Sequence, residues 1–112
     1  MNQVDLHIHT TASDGALTPT QIVQRAARLG IEVVAITDHD TVAGIPEALA
    51  AGALHGVEVI PGVEINTDVP RAEVHVLGYF VDYRNQELDA KLAVLRDGRV
   101  GRARRMAEVL TA

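Results

Sequence analysis

His7 and His9 stand two apart in Val4-Asp5-Leu6-His7-Ile8-His9, where apolar and polar residues alternate. That period is a strand's, and residues two apart on a strand leave the same face. Two imidazoles side by side at a strand end form the first half of a metal site, with Asp5 on the same face one step earlier. Alone the pair is a weak signal, since surface or core histidines share this spacing. Thr37-Asp38-His39-Asp40 is harder to explain away. It follows an apolar run, and buried ionisable groups are costly unless partners or cations meet them. Asp40 or Thr41 reads as the N-cap of a following helix, which leaves His39 unexplained. Glu64 lies between Val63 and Ile65, a poor place for a lone carboxylate, and His75 lies inside the apolar run Val74–Leu77. A single histidine there is more often a satisfied core residue, and Asp14 in Ser13-Asp14-Gly15 reads as a turn residue.

Together these residues say more than each does singly. Four successive predicted strands carry a histidine or glutamate at or near one end, and parallel α/β folds gather ligands at the carboxyl ends of their strands. Imidazole with carboxylate suits Zn, Mn or Fe, and so many donors exceed the need of one tetrahedral ion.

The elements that position them follow from the same rows. Thr18 caps a helix with Pro19 in its first turn, Ile22, Ala26 and Leu29 recur at helical spacing, and Gly30 ends it. Residues 31–37 form a buried strand, 41–53 a second helix, 57–60 a third strand, and 62–66 a further strand or its continuation. Residues 73–81 form another strand, and 87–110 a long helix that Gly98 or Gly101 can break. Strand–helix–strand–helix–strand predicts a parallel α/β architecture. No Gly-x-Gly phosphate loop and no internal repeat is present.

The chain has 112 residues, 47% of them hydrophobic and only 3% aromatic, so its core must be built of Val, Leu, Ile and Ala. With no cysteine, disulfides, thiolate zinc sites and cysteine nucleophiles are excluded. Neither a signal peptide nor an apolar run long enough for a membrane span is found, and a cytoplasmic protein without membrane contact is expected. Charge is uneven: residues 1–83 hold three basic against eleven acidic residues, and residues 84–112 seven against four. The first segment repels nucleic acid backbones unless cations cancel its acids, so no stable nucleic acid complex is expected.

Asp5-Leu6-His7-Ile8-His9-Thr10-Thr11-Ala12-Ser13-Asp14-Gly15 resembles the first motif of the polymerase-and-histidinol-phosphatase (PHP) family, and Ile36-Thr37-Asp38-His39-Asp40 its second. Pro61–Ile65 and Val74–Gly78 match the elements that follow, so the resemblance covers residues 4–110. It is nearest to small bacterial phosphoesterases acting on nucleotides or short RNA ends. The resemblance implies a distorted (β/α) barrel of parallel strands with flanking helices. Residues 1–83 would form the N-terminal part of that barrel, and 84–112 an Arg-rich helix leading into a missing C-terminal part. It also implies a cluster of two or three divalent ions. His7 and His9 would share one ion with Glu64, and Glu64 would bridge to a second that His75 also binds. Asp14 and His39 would join the third, and Asp5 and Asp38 would orient histidines from behind. Family members complete the cluster with a later histidine and a later Asp-x-His, whereas here no histidine follows His75.

The chemistry so implied is hydrolysis of a phosphorylated small molecule or nucleotide by a metal-activated hydroxide, with His7, His9, His39 and Glu64 at the reacting centre. A histidinol-phosphatase-like or polymerase-associated exonuclease activity is the alternative enzyme, and a metal-binding structural module the alternative outside catalysis. In the last helix Leu88, Leu92, Leu95, Ala103, Met106 and Leu110 trace an apolar stripe on which Arg99 falls. Arg99 with Arg102 suits a substrate phosphate. A helix broken at Gly98 or Gly101 would instead free Arg99 to solvent, and the sequence leaves both open. Nothing in it determines oligomeric state.

Overall fold

The structure is a computed structural model that describes residues 3–69 and 72–97, with backbone alone at 67–69 and 72–74. Strand β1 (Gln3–Ile8) leads through a loop to helix α1 (Pro19–Leu29), then to β2 (Ile31–Ile36), α2 (Ile45–His55), β3 (Glu58–Val69) and β4 (Ala72–Tyr79). Residues 86–97 are helical. The sheet runs in chain order, β1-β2-β3-β4.

Helix α1 starts and stops where its sequence says. The Thr18 hydroxyl accepts from the Gln21 amide while the Gln21 side chain accepts from the Thr18 amide, and Gly30 closes the helix at φ 76°. The second helix begins later than residue 41. Asp40 takes a left-handed φ of 50°, and the Thr41 hydroxyl accepts from the Ala43 amide in a turn. Gly44 is therefore the N-cap and neither Asp40 nor Thr41 has that role.

The two predicted strands around Pro61 are one. Val33–Ile36 pair in parallel with Glu58–Pro61, and from Gly62 onward β3 pairs with β4 instead. Gly62 sits at this change of partner, where a Cβ would lie 2.9 Å from both the Gly78 carbonyl oxygen and a Thr37 methyl carbon. β1–β2 and β2–β3 are parallel as expected, but β4 is antiparallel to β3. The reason is chain length: only residues 70 and 71 separate the two strands, whereas a parallel crossover takes a dozen or more.

Val23, Ala26, Val34, Ile36, Ile45, Ala48, Ala51, Val57, Val59 and Val63 form an aliphatic core, as the scarcity of aromatics requires. Leu92, on the predicted stripe, is buried with them, and Leu88 packs against the cluster. β1 is an open edge, with Val4 and Leu6 about half exposed. β1 and β4 are opposite edges, yet the Tyr79 hydroxyl donates to the Leu6 carbonyl at 2.8 Å. The sheet is therefore curled into half a barrel, with the helices outside.

Candidate metal centre

The carboxyl ends of β1 and β2 open onto the middle of β3. There Asp40 N–H donates to the Glu64 carbonyl at 2.9 Å and Glu64 N–H to the Asp38 carbonyl at 3.0 Å, a bridge that sets His39 beside Glu64. On β3, Glu64 and Asn66 leave one face, and His75, paired with Asn66 across the hairpin, shares it.

Four imidazoles surround the Glu64 carboxylate, whose side chain is 3% exposed. Its Oε1 lies 2.5 Å from His7 Nε2 and 3.5 Å from His9 Nε2. The other oxygen, Oε2, lies 2.7 Å from His39 Nδ1 and 3.5 Å from His75 Nδ1. Asp14 reaches in from the loop after β1, with Oδ1 3.0 Å from His9 Nδ1 and Oδ2 3.0 Å from His39 Nε2. The rings of His9 and His39 stand 4.2 Å apart and those of His7 and His9 5.1 Å. Burial pushes the Glu64 carboxyl up, but the hydrogen bond from His7 and the charges of His39, His9 and His7 outweigh it and hold the group below its usual range. Asp14 behaves alike: burial raises it, and His39 and His9 bring it below its usual value.

The donors fit divalent cations. His7, His9 and Glu64 offer ligand atoms within 4.8 Å of one another, and so do His9, Asp14 and His39. His9 Nε2 is buried with no hydrogen-bond partner among the described residues. An imidazole lone pair left so, facing a carboxylate oxygen, is suited to an ion between them. Neutral imidazoles and carboxylates without sulfur match the donor preferences of Zn, Mn and Fe.

Of the ten residues expected at the site, the geometry gathers His7, His9, Asp14, His39, Glu64 and His75 into one place. Among the described residues the Asp5 and Asp38 side chains hydrogen-bond to groups other than the rings. Asp5 accepts from the His7 backbone amide at 3.2 Å. Asp38, 1% exposed, accepts from Thr10 N–H at 2.6 Å, the Thr10 hydroxyl at 2.8 Å and the Ser13 hydroxyl at 2.7 Å. Arg99 and Arg102 lie outside the described residues.

Two participants were missed. The Asn66 side-chain amide lies 2.7 Å from His39 Nδ1, and its place two residues after Glu64 on a strand was the available signal. Arg96 Nη1 donates to the Asp40 carbonyl at 2.7 Å, and Arg96 falls four residues after buried Leu92.

Fold and site together define an α/β half-barrel with a histidine–carboxylate cluster at its strand ends. The chain belongs to the PHP domain family, which it matches over residues 5–107. It is 43% identical over its whole length to a 3',5'-nucleoside bisphosphate phosphatase of Chromobacterium violaceum, covering 39% of that protein. Over 95% of its length it is 44% identical to the 5'-3' exoribonuclease Rnm of Salmonella typhimurium, covering 37% of it. A solved amidohydrolase structure from Chromobacterium violaceum, with bound sulfate and no metal, superposes with a TM-score of 0.86 at 42% identity, over 97% of this chain and 38% of that one. The chain thus spans under two fifths of the length of these relatives.

Proposed function

We propose that the protein hydrolyses phosphoesters of nucleotides or short oligonucleotide ends, using divalent cations held by His7, His9, Asp14, His39, Glu64 and His75. The observation that carries the reading is the packing of four imidazoles around one buried carboxylate, with Asp14 closing the side between His9 and His39. Names of relatives as a nucleoside bisphosphate phosphatase and an exoribonuclease support the substrate class.

Glu64 would serve two cation positions, with Oε1 near His7 and His9 and Oε2 near His39 and His75. Such cations neutralise phosphate oxygens and make water acidic enough to deprotonate near neutral pH. The chain supplies the rest. Its carboxylates are ionised well below neutrality, its imidazoles present lone pairs when neutral, and Asn66 orients His39. Two or three ions of Mn, Zn or Fe would suit this donor set. Residues 1–83 carry the ligands, and Arg99 and Arg102 would serve a substrate phosphate. The setting is the cytoplasm; among the described residues no helix is long and apolar enough to cross a membrane.

The test is hydrolysis of a nucleoside 3',5'-bisphosphate and of a 5'-phosphorylated oligonucleotide by the full-length protein and its His7→Ala and Glu64→Ala variants. Activity on either substrate that falls to background in both variants is expected. Near-normal turnover by a folded, metal-depleted variant would refute the reading.

A further inference from the structure

Asp14 poses a physical problem. Its side chain is 62% exposed, so packing does not hold it, yet its two oxygens lie 3.0 Å from ring nitrogens of two different histidines. An exposed carboxylate has rotamers and a loop backbone to lose, and something must keep that loop in place.

The residues on either side do so. Ser13 donates its hydroxyl to Asp38 at 2.7 Å. Gly15 donates its amide to the Thr10 carbonyl at 2.8 Å, and its α-carbon is pressed so closely on His9 that a Cβ would stand 2.3 Å from the His9 carbonyl oxygen. Thr10 carries the loop's other anchor: its amide and hydroxyl both donate to Asp38, and the same hydroxyl accepts from the Ala12 amide. Thus one buried carboxylate at the end of β2, next to His39, gathers the loop that follows β1. On the other side of the cluster, neither His7 nor the Glu64 side chain hydrogen-bonds the Asp38 carboxylate among the described residues; Glu64 meets Asp38 only through the backbone, its N–H donating to the Asp38 carbonyl.

We propose that Asp38 is a positioning residue which, through Thr10 and Ser13, holds Asp14 over His9 and His39. It governs the cation position at Asp14 and His39 and leaves the one at His7 and Glu64 alone. The inference rests on the reading above that these groups bind cations, and it assigns Asp38 to a carboxylate ligand's loop and not to a histidine ring.

Its test is calorimetric titration of the metal-free, full-length protein with Mn(II), alongside Asp38→Asn, Ser13→Ala and Ser13→Thr, with His39→Ala and His7→Ala marking the two positions. Asp38→Asn and Ser13→Ala should weaken the class of sites lost in His39→Ala by about 10- to 100-fold, the usual effect of losing a supporting partner. The class lost in His7→Ala should stay within about threefold, and Ser13→Thr, which keeps the hydroxyl, should restore the first class. Amide exchange of Ser13 and Gly15 in the metal-free protein should quicken in Asp38→Asn while that of β2 does not. Equal weakening of both classes, or unchanged binding and exchange, overturns the proposal. A wild-type protein that takes up no cation overturns the underlying reading, and this proposal with it.

Discussion

His39 and Glu64 meet twice: their backbones form an isolated parallel bridge, and Nδ1 of the histidine lies 2.7 Å from Oε2 of the carboxylate. The strand pairing that makes the barrel thereby also sets the ligand spacing. Glu64→Gln keeps the shape and the bridge but removes the charge facing four imidazoles. We expect cation affinity to fall by more than about 100-fold, beyond what loss of a supporting partner costs, with little change in far-ultraviolet circular dichroism. Calorimetric titration of both proteins checks this.

Arg96 ties the helical residues 86–97 to the loop that carries His39, through the Asp40 carbonyl. Asp40 holds a left-handed φ of 50°, a conformation that surrounding contacts must maintain. Arg96→Ala is expected to cost about 1.5–3 kcal/mol, the range for a hydrogen bond to a charged group. Arg96→Lys should recover part of it, as read by urea unfolding of the metal-free protein.

Gly15 has no room for a side chain, because a Cβ would meet backbone atoms of His9 and Thr10 at 2.3 to 2.7 Å. Backbone yields less readily than a flexible side chain. Gly15→Ala should destabilise by about 1–3 kcal/mol or more, as overpacking does, and should displace Asp14. Thermal melts and Mn(II) titration of the same variant report the two effects.

Acid should loosen the metal-free site in a defined direction. Glu64 and Asp14 have carboxyl pKa values below their ordinary 4.5 and 3.8. Between the lowered and ordinary values the unfolded chain holds more protons than the folded one, so stability rises with pH there. Their contribution is present above about pH 4.5 and is lost as pH falls through the folded values. Urea unfolding of wild type from pH 6 to pH 3 should show this loss, and Glu64→Gln should show less of it.

Much of the site was legible in the residues. His7 and His9 declared themselves by alternation, and Glu64 by being a carboxylate between Val63 and Ile65. Asp38 announced that it needed partners, but type and spacing do not say which. Thr10 and Ser13 meet it only because the loop after β1 folds back over β2. The direction of β4 was readable from the short gap between the expected strands 62–66 and 73–81, too short for a parallel crossover, a length that periodicity alone does not weigh. Arg96, four residues after deeply buried Leu92, carried the same kind of signal and was not singled out, while Arg99 lies outside the described residues.

Metal analysis of the purified full-length protein, with X-ray absorption at the edge of whichever element is found, tests the central claim most directly. On the order of two or three divalent cations per chain, in nitrogen and oxygen coordination that His9→Ala diminishes, is the expected result. A fully active protein free of such cations, or one whose metal coordination is unchanged in His9→Ala, would contradict the account.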